Sequence, residues 1–302
     1  TWIRWQRDRS RRRRRRERAI EFGLFLAALS SVAITLGIVG TLVYESIPFF
    51  RHVSLVEFLT DPLWTPLFAE AHFGIMPLVA GTLVTTLVAL LVAVPVGTVT
   101  AIYLSEYAPH RVRETIKPAL ELLSAVPTVV YGYFALLFVT PLLQGILPDL
   151  PGFNMLSAGM VIGVMVIPYV SSLSEDAMRA VPMQIREGSY AIGATRLQTS
   201  LRVVVPSALS GITAAYVLGV SRAIGETMVV AVAAGMQPNL TWNPLEPAAT
   251  ITAYIVQVSL GDLPHGSVGY QSIFAAGLTL FVMTLFFNIA GHLLRRRFRE
   301  IY

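Results

Sequence analysis

The sequence predicts an all-α, polytopic membrane protein with six transmembrane helices and both termini on the cytoplasmic side. Three observations carry that prediction. Hydrophobic residues fill 54% of the 302 positions and charged residues only 14%, whereas soluble domains carry about a quarter charged. The apolar residues gather into runs long enough to cross a bilayer, which takes ~20 helical residues each, and mean hydropathy is +0.63. Lys and Arg are partitioned between the segments joining those runs: 21 of 23 fall on one alternating set, one on the other, and Arg222 lies within a run. By the positive-inside rule the rich set faces the cytoplasm.

In order, residues 1–19 form an Arg-rich arm holding ten basic residues, including the run Arg11–Arg16. Beside an apolar span, such an arm marks the cytoplasmic side and touches anionic lipid rather than nucleic acid. The six expected spans are Ile20–Ile47, Gly74–Leu104, Ala119–Leu147, Leu156–Leu173, Pro206–Gly235 and Ser272–Leu294. Residues 20–73 give the first helix and an external segment, residues 74–294 a five-helix core with a loop at 182–206, and residues 295–302 a basic cytoplasmic tail. The chain opens at Thr1 rather than Met, which leaves its natural N-terminus open. The apolar stretch after Ile20 is too long for a secretory h-region and reads as a retained anchor.

Segment 49–73 is acidic (Glu57, Asp61, Glu70) and rich in Pro and aromatics, so it is expected to pack on the outer face. In the outer segment 236–271, Ala248–Leu260 is apolar enough for a short helix lying at the interface or dipping below it. Dipping requires its backbone to be buried in protein or to line water.

Several chemistries are excluded. There is no Cys, and the five His residues are scattered without an H-x-x-x-H pair, so no metal site is expected. A P-loop requires G-x-x-x-x-G-K-[ST], yet the only lysine is Lys117, in ETIKP. HExxH and GxSxG are also missing, which removes support for zinc-protease and serine-hydrolase chemistry. No enzyme activity and no cofactor are expected in this chain.

Three stretches stand out. In SAVPTVVYGYF (Ser124–Phe134), Pro127 removes a helical hydrogen bond and Gly132 permits close backbone approach. This is either an ordinary kinked helix or a pore-lining bend formed by Pro127, Thr128 and Tyr131. In the loop 182–206, Pro182 suits a helix start, Ile185–Ile192 makes about two turns, Gly193 interrupts, and Thr195 with Gln198 fits a capping box. Leu197, Leu201 and Val204 form one apolar stripe. Such a knob either seats in a cleft of a partner or rests on lipid headgroups. In the fifth span, Gly211, Ala215, Gly219 and Ala223 make a small-residue ridge for close helix packing. Arg222 falls near mid-span with Glu226 four residues on, expected one turn along the same face. One reading is a buried ion pair that fixes helix packing. The other is a site on a substrate path, where intramembrane charges are usually found.

Glu187–Gly188–Ser189, Gly193, and then Val203, Val205 and Pro206 resemble the EAA loop of type I ABC-importer permeases. That pattern runs EAA, three residues, G, nine residues, I, one residue, LP; here GS replaces AA and valines replace Ile and Leu. VPTVVYGYFAL (Val126–Leu136), GATRLQTSLRVVVPSALSGITAA (Gly193–Ala215) and SRAIGETMVVAVAAG (Ser221–Gly235) further resemble the phosphate-specific (Pst) permeases, the PstC type more than the PstA type. The resemblance covers residues 74–294.

It implies the type I ABC importer permease fold in a bacterial plasma membrane, with Glu187, Gly188, Ser189, Gly193, Ala194, Thr195 and Pro206 on the loop that docks to an ATPase. The implied partners are a second, PstA-like permease, two PstB-like subunits carrying ATP and Mg, and an external PstS-like phosphate-binding protein. A guanidinium fork matches two oxygens of a tetrahedral anion. Arg222 is therefore expected to attract phosphate while Glu226 orients it and accepts the P–OH that sulfate lacks, with Ser221 and Thr227 alongside. The rivals are a permease for another oxyanion (sulfate, molybdate, phosphonate), an ion-coupled carrier or channel, and a structural anchor.

Overall fold

The computed structural model describes residues 2–68, 70–261, 263–264 and 266–297, with the backbone alone at 2–16 and 297. The side chains of the Arg11–Arg16 run and the end of the basic tail lie outside the described residues. Helix α1 (Trp2–His52) joins the arm to the first span without a break, and a short α2 (Leu55–Thr60) follows, its N-terminus capped by Ser54. Helix α3 (Met76–Ile102) runs on through a π-helical turn at Tyr103–Tyr107. After α4 (His110–Ala125) come α5 (Thr128–Phe134), a π turn at Ala135–Val139, and α6 (Thr140–Gln144). Helix α7 (Met155–Arg179) starts at Asn154, whose side-chain oxygen accepts the Ser157 N–H at 2.7 Å.

The loop then supplies α8 (Met183–Ala191), α9 (Arg196–Thr199), a π turn at Ser200–Val204 and α10 (Val205–Ser207). Helices α11 (Leu209–Ile224) and α12 (Met228–Ala233) are separated by three residues. Helix α13 (Ile251–Ser259) lies in segment 236–271, and α14 (Val268–Arg297) closes the chain.

Among the described residues, four helices are unbroken and apolar enough to cross a membrane: Glu17–His52, Met76–Tyr107, Met155–Arg179 and Val268–Arg296. The count reaches six when each of two bent pairs forms one span. The third expected span, Ala119–Leu147, is corrected accordingly. The chain turns by 89° between α4 and α5, so residues 119–125 belong to the amphipathic α4. The cause is Pro127: it cannot donate to the helix ladder, and the residue before a proline is pushed out of the α region, as Val126 is at φ −66°, ψ 132°. A second bend, of 72°, separates the loop helices from α11.

In lipid the helices gain little from hiding apolar surface against one another, so close backbone approach decides the packing. Helix α7 sits at the centre because its neighbours meet it through glycine. A Cβ at Gly159 would lie 2.7 Å from the Val88 Cβ, and one at Gly163 2.7 Å from the Ala89 carbonyl oxygen, both on α3. The ridge on α11 also packs on α7, with Gly211 against Ala177 and Gly219 against Val166 and Val170. Ala215 and Ala223 are buried along the same line. Helix α14 crosses α11 where Gly291 meets Val217, and α1 packs along α14 with most of its apolar surface exposed.

Segment 49–73 packs with α13 into a cap, and its aromatics are the packing residues. Phe49, Phe58, Trp64, Phe73 and Tyr254 are buried and meet edge to face at ring-centroid distances of 5.0–6.4 Å, a favoured geometry for aromatic quadrupoles. Helix α13 is buried within this cap rather than resting on its surface. Thr82 of α3 accepts the Ile251 N–H at 3.1 Å, and a Cβ at Gly81 would lie 2.3 Å from the Ala249 carbonyl oxygen.

Candidate functional site

The one charge pair within the fifth span sits at a break in the helix, not on a continuous face. Helix α11 ends at Ile224 with Arg222 in its last turn, and α12 begins at Met228. The expectation of one turn along an unbroken helix is therefore corrected. The reason lies in Glu226. One carboxylate oxygen accepts the Arg222 guanidinium at 2.7 Å; the other accepts the N–H groups of Met228 and Val229 at 3.2 and 3.4 Å. The side chain thus caps the helix that follows it, satisfying N–H groups that have no partner inside the helix. The Thr252 hydroxyl of α13 donates to the Glu226 carbonyl at 2.7 Å, tying that buried helix to the break.

The two charges differ in access. The Glu226 side chain is 2% exposed and that of Arg222 is 32% exposed. A second guanidinium nitrogen of Arg222 meets only the Met165 sulfur, at 3.8 Å, a weak acceptor. Glu226 is nearly saturated, since three donors occupy a group with about four lone-pair positions. Arg222 keeps free donors on a half-open side.

The other residues singled out by sequence divide. Thr227 occupies the break, its hydroxyl donating to the Gly225 carbonyl at 3.2 Å. Ser221 is turned away, donating to the Val217 carbonyl and accepting from Asn288 of α14 at 3.2 Å. In the bend, the buried Tyr131 donates its hydroxyl to the Leu123 carbonyl at 2.7 Å and so braces the 89° turn. Gly132 lies against α12, where a Cβ would be 3.1 Å from the Met228 carbonyl oxygen. Thr128 begins α5 and is half-buried, while Pro127 is exposed. Bend and break therefore share a wall.

The loop has the expected helix, glycine bend and helix. Gly193 adopts φ +84°, a left-handed conformation that glycine enters at little cost. Both capping-box bonds at Thr195 are formed, Thr195 Oγ1 accepting the Gln198 N–H and Gln198 Oε1 accepting the Thr195 N–H. Ser189 is buried with its hydroxyl 2.9 Å from that of Thr199, which clasps the two helices, whereas Glu187, Gly188 and Pro206 face outward and Ala194 is half-buried. The expected stripe is broken: Val204 is buried, but Leu197 and Leu201 are exposed. The π turn at Ser200–Val204 inserts an extra residue and rotates the register.

A buried polar network beneath the loop was not recognised from the sequence as a unit. Arg186 is paired with Glu106 at 3.1 Å and also donates to the Met178 and Val181 carbonyls at the end of α7. Glu175 is fully buried and binds Lys117 at 2.8 Å, with Arg179 at 3.5 Å and Arg113 at 3.6 Å. Burial pulls the Lys117 pKa down, but the carboxylates of Asp176 and Glu175 outweigh it and hold the ammonium above its ordinary value. The available signal was the run Ser171–Asp176, polar except for Leu173, at the end of an apolar span.

A family model for the inner membrane component of binding-protein-dependent transport systems matches residues 93–300. The chain belongs to that family. It is 35% identical to the probable ABC transporter permease protein YqgH of Bacillus subtilis, over 91% of this chain and 87% of that one. It is 30% identical to the phosphate transport system permease protein PstC of Haemophilus influenzae, over 92% and 90%. Among solved structures, a bacterial alginate ABC transporter in complex with its alginate pentasaccharide-bound periplasmic protein aligns with TM-score 0.65 at 19% identity, covering 92% of this chain and 96% of that one. The MetNI methionine ABC transporter aligns with TM-score 0.56 at 18% identity, covering 80% and 100%. These structures establish the type I ABC permease fold.

Proposed function

We propose that this chain is the membrane-spanning permease subunit of an ATP-driven importer for inorganic phosphate. The PstC relatives at about a third identity over most of the chain support the substrate. One observation carries the site: Arg222 is a half-open guanidinium with unfilled donors, held from behind by a carboxylate that is itself fixed by a helix N-terminus.

On this reading Arg222 draws the anion into the break between α11 and α12 with a geometry suited to two phosphate oxygens. Glu226 orients Arg222 in the closed arrangement. When the anion takes over those donors, the released carboxylate oxygen accepts the P–OH, which sulfate lacks at neutral pH. Thr227 adds a hydroxyl at the same level. Binding stays weak because a pathway must release what it admits. The α8–α9 loop docks to an ATPase carrying ATP and Mg, so the loop and both termini face the cytoplasm. A second, PstA-like permease completes the path, and an external phosphate-binding protein delivers the substrate. ATP-driven closure moves the loop and biases a two-state set of helices between outward and inward openings.

The test is uptake into vesicles by this chain reconstituted with the second permease, the ATPases and the binding protein. ATP-dependent phosphate uptake that excess sulfate does not compete supports the reading. Uptake without the ATPase, or preference for another oxyanion, contradicts it.

A further inference from the structure

We propose a second oxyanion site, on the face that carries the loop, which takes the phosphoryl oxygens of free phosphate and slows transport when that ion accumulates on the loop side. The proposal rests on the phosphate-importer reading above. A cavity of about 350 Å³ lies between the end of α3, α4, the end of α7 and the loop helices. It has room for an ion and several waters, at about 30 Å³ per water. Among the described residues it is lined by Arg113, Arg179, Arg186 and Arg196 but by one carboxylate, Glu106.

The charges do not cancel. Glu106 is taken by Arg186 at 3.1 Å and by the Ser105 hydroxyl at 2.8 Å. Glu175, behind the wall, is held most closely by Lys117 at 2.8 Å and lies 3.5–3.6 Å from both Arg179 and Arg113. Lys117 is also held by Asp176 at 2.7 Å, so Arg179 and Arg113 share the single carboxylate of Glu175. Arg196 has no carboxylate within 4.0 Å among the described residues; its guanidinium lies 5.1 Å from the centroid of the Tyr107 ring, which orients it without neutralising it. The first turn of α8 also borders the cavity through Met183 and has no side-chain cap, so its free N–H groups add positive potential. Guanidinium groups from α4, α7, α8 and α9 thus converge on the recess; Arg113 is held by the Leu104 and Ser105 carbonyls and Arg186 by Glu106 and the Met178 and Val181 carbonyls, so Arg179 and Arg196 supply the open donors for an oxyanion.

An ion bridging α7 to α9 stabilises the arrangement drawn here over any in which the loop has moved. A ligand shifts an equilibrium by its preference for one state, so occupancy slows the cycle. Phosphoryl oxygens also occur in anionic lipid headgroups, and the experiment separates the two sources.

The complete transporter is reconstituted in neutral-lipid vesicles with the loop face outside and the binding protein enclosed. Initial rates of ATP hydrolysis are read as inorganic phosphate is added outside. The expected result is inhibition whose midpoint rises about tenfold in Arg179→Gln and in Arg196→Gln, with Arg179→Gln unchanged when no phosphate is added. Inhibition that appears only with anionic lipid, and is relieved by the same variants, also supports the site and assigns it to headgroups. Equal midpoints in wild type and variants, or no inhibition with either source, overturn the proposal. So does loss of hydrolysis in Arg179→Gln without phosphate or anionic lipid, which makes the arginine a partner contact. Failure of the importer reading is distinct: the wild-type transporter then shows no ATP-driven phosphate uptake.

Discussion

A guanidinium within a membrane-spanning helix costs roughly 2.5–3.5 kcal/mol on insertion scales, and the structure shows how Arg222 is accommodated. Its carboxylate partner is buried and fixed by the N–H groups of Met228 and Val229. Pairing and capping are therefore one arrangement, and the unwound turn at Gly225–Thr227 follows from it. The Glu175 cluster follows the same logic on the loop side, where a fully buried carboxylate is held by several cations. Removing one partner of a buried ion pair typically costs 3–5 kcal/mol. Lys117→Met leaves Arg113 and Arg179 in place, so a smaller loss of about 1–3 kcal/mol is expected, read as a lower thermal midpoint of the purified transporter. The sign of its pH dependence follows from the raised pKa. The Lys117 contribution is complete below the ordinary value of 10.5 and is lost as pH rises through the higher folded value. A wild type that loses stability above that range, beside a Lys117→Met variant that does not, is the expected pair of curves.

At the scale of elements, glycine decides which helices meet. A side chain at Gly163 would collide with the Ala89 carbonyl oxygen and with Val92, neither of which can withdraw far. Gly163→Val is expected to destabilise by about 3 kcal/mol or more. Gly188→Ala, in open space within α8, should be neutral or stabilising by about 0.5–1 kcal/mol. Thr195→Ala removes the capping box and about 1 kcal/mol of local helix stability, visible as faster amide exchange in α9. In the aromatic cap, burial raises the Asp61 pKa, but the Leu63 N–H and His72 outweigh it and the carboxyl titrates below its ordinary 3.8. Its contribution is present above that value and is lost as pH falls through the lower folded one, so the wild-type cap should become more open to protease as pH falls through that range, whereas Asp61→Asn should already be more open than wild type at neutral pH.

Much of this was legible because spans, caps and small-residue ridges are written locally. Runs of apolar residues, Pro182, Thr195 with Gln198, and Gly211 to Ala223 each announce their own geometry. What escaped depends on partners distant in sequence. Whether α11 continues past Ile224 is decided by the Glu226 side chain folding back onto two N–H groups and by Thr252, 26 residues away. The register shift after α9 comes from a π turn that no spacing rule anticipates, and the Glu106–Arg186 pair joins residues 80 apart.

At the scale of the whole molecule, central α7 joins the two ends of the proposed machine. One flank carries the α11 ridge that leads to the break, and its end leads directly into the loop. The proposed coupling runs through α7, which connects α8 to the helix that carries Arg222. The central claim is that Arg222 handles the anion and does not merely fill a packing role. Phosphate uptake by the reconstituted transporter should be measured for Arg222→Gln, Glu226→Gln and the double variant. The account predicts that uptake falls at least tenfold in each single variant and stays lost in the double, because neutralising both groups restores a balanced interior but not the anion's partner. Near-wild-type uptake in the double variant would contradict it and leave the pair as a packing device.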